Sequence, residues 1–217
     1  NTVLRLRRRL GGRVIHHVDD VYPDLAVALG SLPPRGWAAS RLGSGAEAGL
    51  RNCDQVLALG ECMAGVLKNK GVAADRLAIT PPWADGRRLS PLDHGENRFR
   101  REIGIPGDHL VVMYSGNMGA SHGLGPVVEA AERLQNDERI AFLFIGDGLG
   151  RPGLEHEVAS RRLNNVLILN PQNYETLPLS LATGDIALVI QMPGTEHLSL
   201  PSKAISSMAA GNAARST

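Results

Sequence analysis

The sequence predicts an α/β protein: parallel sheets covered by helices on both faces, divided between two domains. Three observations predict it. Short runs such as "LVVMYSG" (110–116), "IAFLFIG" (140–146) and "DIALVI" (185–190) are apolar almost throughout, as strands buried on both faces are. Between them lie segments with helical apolar spacing, for example Val127, Ala131 and Leu134. Residues 81–109 are rich in Pro, Gly and charge and have no long apolar period, the composition of a connection between domains.

The elements follow in order. The opening "NTVLRLRRRLGG" reads as the tail of a helix. "RVIHHV" (13–18) is a strand, Asp24–Leu32 a short helix broken by Pro33-Pro34, and Trp37–Asn52 a helix. "QVLAL" (55–59) is a strand, Glu61–Lys70 a helix ended by Gly71, and "RLAIT" (76–80) a strand. A first domain over 1–85 and a linker over 86–109 are expected, then a second domain over 110–217. In that domain Pro126 suits the first turn of a helix, and Leu154–Arg162, 175–183 and 202–210 are helical. "NVLILN" (165–170) supplies another strand. The chain opens without Met, and "SMAAGNAARST" stops where a further strand is due. The expectation is therefore a fragment with two incomplete domains.

Composition narrows the function classes. With 43% hydrophobic and 21% charged residues the chain fits a soluble globular protein. A net charge of +1 and 4% aromatic residues argue against nucleic-acid binding. Arg5, Arg7, Arg8, Arg9 and Arg13 cluster at the start, either as a solvated helix face or as a patch for anionic lipid or an anionic acceptor. Cys53 and Cys62 form no C-x-x-C and read as core thiols in a reducing cytoplasm. No apolar stretch reaches the ~18–20 residues of a membrane span.

Parallel sheets bind ligands at the carboxyl ends of their strands, so the loops there carry the chemistry. "GDGLGRPG" (146–153) contains G-x-G-x-x-G at Gly148, Gly150 and Gly153, a dinucleotide fingerprint. The acid it needs after the next strand is missing, since Asn170 and Pro171 stand there. "YSGNMGASHGLGP" (114–126) follows the leading strand of its domain, with Gly116 and Gly119 allowing backbone N–H groups close to an anion. A bulky residue at Gly119 is expected to weaken nucleotide diphosphate binding, and one at Gly150 to matter little. Ser202 is a candidate helix N-cap beside Lys203, and Glu196 follows a strand. "HHVDD" (16–20) reads as a satisfied buried histidine beside a helix cap or, less readily, as a metal site.

Taken together, "HHVDDVYPDLAVALG", "LGECMAGVLKNKGV", "ITPPWAD", "VVMYSGNMGASH", "FLFIGDG" and "LSLPSKAISSMAAGN" carry a resemblance over almost the whole chain. In order and spacing they resemble the retaining glycosyltransferases of the family-4 type, in the branch of capsule, exopolysaccharide and colanic-acid synthesis. The resemblance implies a GT-B fold, two Rossmann-like domains with the acceptor bound by the first and a nucleotide-sugar by the second. It implies transfer with retention to a polysaccharide or lipid-linked acceptor, no metal and no cofactor beyond the nucleotide-sugar substrate. His17, Asp20 and Glu196 take the catalytic roles by this likeness. Gly116, Asn117, Gly119, Ser121, Asp147, Pro201, Ser202 and Lys203 meet the donor. The family's second glutamate is replaced, Ala204 standing eight residues after Glu196, and Ser121-His122 stands where a basic residue is usual. Such enzymes work in the cytoplasm, some at the inner face of the plasma membrane. The competing readings are an NAD(P)-dependent oxidoreductase using Gly148–Gly153, and an inactive remnant of a glycosyltransferase.

Overall fold

The computed structural model describes residues 2–119 and 123–216, the last four as backbone. The chain divides into two units. Unit 1 runs to Pro82 and includes Met192–Leu200, and unit 2 is Trp83–Gln191 with the segment from Pro201 on.

In unit 1 the elements are α1 (Thr2–Leu10), β1 (Ile15–Val18), α2 (Asp24–Ala28), α3 (Trp37–Arg51), β2 (Gln55–Ala58), α4 (Glu61–Asn69) and β3 (Leu77–Ile79). The strands form a parallel sheet in the order β1-β2-β3. Val56, Ala58, Met63 and Leu67 are at the centre of its core, with Cys53 among them. Cys62, expected inside, is exposed, because the apolar stripe of α4 runs through Met63, Ala64 and Leu67 instead. Leu198 packs on the same core and accepts a hydrogen bond from the Val21 N–H at 2.8 Å, which places 192–200 in this unit. None of α1 is buried; Arg7 ties it down through the Asn52 carbonyl at 2.8 Å and Asp54 at 2.9 Å.

Unit 2 contains α5 (Arg98–Glu102), β4 (Leu110–Ser115), α6 (Gly125–Leu134), β5 (Ile140–Ile145), α7 (Arg151–Ser160), β6 (Val166–Leu169), α8 (Leu177–Leu181), β7 (Ile186–Val189), α9 (Ser202–Ala209) and β8 (Ala213–Ser216). Its five parallel strands lie in the order β6-β5-β4-β7-β8. Tyr114, Phe142 and Phe144 enter one core, and Val111, Met113, Leu143 and Ile145 the other. Alternate residues of each strand therefore meet apolar partners on opposite faces, which is why the strands read as unbroken apolar runs.

Residues 86–109, expected as a linker, are instead a packed part of unit 2. Asn97 accepts from the Arg100 N–H as the cap of α5 and donates to the Leu179 carbonyl at 2.9 Å. Arg100 is wholly buried. Its guanidinium donates to the carbonyls of Pro106, Thr183 and His109 and lies 3.6 Å from Asp185. Polar composition concealed this segment because, beside Phe99 and Ile105 which enter the core, its buried groups are polar ones satisfied by hydrogen bonds.

Candidate functional site

In unit 2 the chain leaves β4 through α6 to β5 on one side, whereas β7 and β8 lie on the other. Strand order thus reverses between β4 and β7, and parallel sheets open a ligand crevice at the carboxyl ends of such a pair. Gly116 follows β4 there, and Lys203, in the first turn of α9 after β7, comes against it.

The contact is close. The Lys203 ammonium donates to the Tyr114 hydroxyl at 2.9 Å and lies 4.1 Å from the centre of its ring. That hydroxyl in turn donates to the Asn117 carbonyl at 2.6 Å. Gly116 has φ +137°, and a Cβ on it would stand 3.3 Å from Lys203 Nζ. The positive φ favours glycine there, and a side chain would press on the lysine head. Among the described residues no carboxylate lies within salt-bridge distance of Lys203, and burial pushes its pKa down to about 8. Burial likewise pushes Tyr114 up to about 12. The crevice thus holds a desolvated cation against a glycine turn, an arrangement that an anion would complete.

The two glycine loops touch along their backbones. The Met118 N–H donates to the Asp147 carbonyl and the Gly150 N–H to the Met118 carbonyl, each at 2.8 Å. A Cβ at Gly146 would lie 1.9 Å from the Gly116 carbonyl oxygen, and one at Gly148 2.5 Å from that of Met118. Arg151 fastens the second loop by donating to the Gly146 carbonyl at 3.0 Å and to Asn170 Oδ1 at 2.7 Å.

Asn117 and Asp147 are exposed, the Asp147 carboxylate accepting from the Gly148 N–H at 2.8 Å. Ser202 is the first residue of α9 rather than its cap: Pro201 occupies the cap position, and no side chain accepts there. Ser121 lies outside the described residues.

The remaining candidates belong to unit 1. His17 is exposed near the end of β1, with Nδ1 3.4 Å from Asp19, and His16 is exposed too, so the buried-histidine reading of this cluster falls. Asp20 pairs as an antiparallel bridge with Ser199. Glu196 is exposed, and hydrogen bonds from backbone N–H groups, its own and that of Gly194 at 3.1 Å, hold its carboxyl below the usual range. Among the described residues no three His, Cys, Asp or Glu side chains converge to hold a metal ion, and no helix is long and apolar enough to cross a membrane.

Comparison with known proteins identifies the fold. The chain is 34% identical over 212 residues to WcaI of Escherichia coli (strain K12), which bears the name of a colanic acid biosynthesis glycosyl transferase. That match covers 96% of this chain and 52% of WcaI. It is 30% identical over 212 residues to WbjE of Pseudomonas aeruginosa, named as a glycosyltransferase, across 94% of this chain and 51% of that one. The chain thus spans about half the length of the curated relatives it matches. No protein-family model matches it. The crystal structure of Anabaena Alr3699/HepE in complex with UDP-glucose superposes with a TM-score of 0.75 at 14% identity, over 99% of this chain and 56% of HepE.

The fold is GT-B.

In this GT-B chain the two glycine loops have different parts. Gly146, Gly148 and Gly150 let the second loop lie on the first, and Gly153, within α7, has nothing within 4 Å of its Cβ position. The third glycine of a dinucleotide fingerprint serves close helix–strand packing, so its purpose is absent here. Asn170, where an acid would bind ribose, is engaged by Arg151. Sequence reasoning missed Tyr114. The available signal was a hydroxyl-bearing aromatic at the end of an apolar strand, immediately before the glycine turn.

Proposed function

We propose that this chain belongs to a retaining glycosyltransferase of the family-4 type, which moves a sugar from a nucleotide-sugar to a polysaccharide or lipid-linked acceptor in the cytoplasm. The observation that carries the reading is the Lys203 ammonium, which meets no carboxylate among the described residues, against Gly116 at the β4–β7 crevice. A diphosphate has the charge and the oxygen acceptors that this cation and the glycine turn suit, and HepE, named with UDP-glucose, supports that choice. In the proposed reaction the acceptor oxygen bonds to the anomeric carbon on the face that the leaving group vacates. The sugar–phosphate bond breaks with its electron pair on the diphosphate, which takes up the acceptor proton. Lys203 and the 116–119 loop stabilise the charge that develops on the diphosphate. His17 and Asp20 orient the acceptor, and Glu196 accepts from hydroxyls of the donor sugar; these roles rest on the family likeness. No metal is assigned.

The test is a panel of nucleotide-sugars assayed for binding and for release of nucleotide diphosphate. Glu196→Gln is expected to lower kcat/KM for the donor by roughly tenfold or more, the loss of a hydrogen bond to a charged group. Unchanged kcat and KM would make Glu196 a surface carboxylate.

We also propose that α1 touches anionic membrane. Val3, Leu6 and Leu10 form an exposed apolar ridge beside Arg5, Arg8 and Arg9. Sedimentation with vesicles containing anionic lipid should retain the protein, and Arg5→Glu with Arg8→Glu should release it. Equal retention by neutral vesicles would remove the electrostatic part of this proposal.

A further inference from the structure

Resting on the reading of the β4–β7 crevice as the donor diphosphate site, we propose that Tyr114 is its positioning residue, holding the Lys203 ammonium and the 116–119 turn as one preorganised unit. Tyr114 has no exposed surface and packs with Met118, Phe142 and Phe144, its ring tilted 40° to that of Phe144 with centroids 6.4 Å apart. Such a ring has one place to put its hydroxyl. The single phenolic proton goes to the Asn117 carbonyl at 2.6 Å, which leaves oxygen lone pairs facing Lys203 at 2.9 Å. A lysine is otherwise a flexible point charge with three donors. Here one donor is committed to Tyr114, the ring face lies beneath the ammonium, and the other two donors, which meet no acceptor among the described residues, are available to phosphate oxygens. The same hydroxyl therefore sets the position of the cation and the shape of the turn.

The electrostatics give this arrangement a readable signature. Tyr114 is the ionisable group of β4 that meets Lys203. The other residues of α9 and those of β7 carry no ionisable side chain, and on β8 the ionisable residue is Arg215. Burial alone brings the lysine down to about 8, with Tyr114 as the acceptor that keeps its charged form in place. Removing that acceptor disfavours the ammonium further, so the lysine loses its proton at lower pH. A diphosphate is bound by the protonated form, and its affinity must then fade at lower pH as well.

The experiment is isothermal titration of UDP-glucose, or of the nucleotide-sugar bound best in the panel above, between pH 6.5 and 9 with wild type, Tyr114→Phe, Lys203→Met and the double variant. Phenylalanine keeps the ring and its packing. For a pKa fall of about one unit, Tyr114→Phe should bind about tenfold more weakly than wild type at pH 9 and less than about twofold more weakly at pH 6.5. The difference between Tyr114→Phe and wild type should vanish in the Lys203→Met background. A uniform loss across the range, or no loss, would overturn the positioning role while leaving the donor site intact. Failure of wild type to bind any nucleotide-sugar would overturn the donor-site reading and this proposal together.

Discussion

Arg100→Met is expected to cost about 3–5 kcal/mol of folding stability, because it removes one side of a buried charged network. The guanidinium has no exposed surface and serves the carbonyls of Pro106, Gly107, His109 and Thr183 as well as the Asp185 carboxylate. Methionine would fill much of the volume but leave the buried Thr183 carbonyl without its donor and the half-buried end of the network around Pro106 and His109 open. Asp185 would keep the Val111 N–H at 2.7 Å and His94 at 3.5 Å. Arg100→Lys should recover only part of the loss, since a single ammonium cannot serve acceptors spread around a planar fork. Urea unfolding of unit 2 checks this. A loss below about 1 kcal/mol for Arg100→Met would mean that water or a local shift satisfies the carbonyls and that the network is not closed.

Gly146→Val should be the most damaging change near the site. The Cβ position is 1.9 Å from a backbone oxygen of Gly116, which cannot rotate away as a side chain would, and the residue sits at φ +153°. The second glycine loop must then leave the first. Nucleotide-sugar binding is expected to disappear, and stability to fall by about 3 kcal/mol or more from overpacking and backbone strain. Gly153→Ala is the matched control: it lies inside α7 with open space around it, and should raise stability by roughly 0.5–1 kcal/mol while donor binding persists. Gly150 stands between these cases. Its Cβ position is 3.0 Å from the Gly119 carbonyl oxygen, so a side chain there asks the first loop to give by a few tenths of an ångström, and its effect on donor binding is expected to be smaller than that of Gly146→Val. Thermal unfolding together with titration of the donor separates the three. Normal binding by Gly146→Val would show that the two loops do not act as a unit.

Strands β1 to β7 were legible in the sequence, most clearly β4 to β7, because a strand covered on both faces needs apolar residues at every position, whereas a half-exposed strand or helix alternates them with polar ones. Strand β8, Ala213–Ser216, was not, since it falls in the stretch read as stopping short of a further strand. Helices between them followed from spacing, so the α/β architecture and the loops worth inspecting could be read without coordinates. The short helix at Arg98–Glu102 was not legible. Only Phe99 of this helix enters the apolar core; the rest of its anchoring is the Asn97 cap and the carbonyls of Pro106 and Thr183, which leave no apolar period. The assignment of residues 192–200 to unit 1 turns on Leu198 and two backbone pairings, too little for any pattern to register. The glycine motif shows the same division. The sequence by itself determined where glycines stand and that they follow strands. Only the tertiary structure decided that those at 146, 148 and 150 are there for a neighbouring backbone, and that Lys203 reaches Gly116 and Tyr114 from 87 and 89 positions away in the chain. Local sequence records which conformations a segment can adopt; which groups a desolvated charge finally meets is set by the order in which the strands assemble.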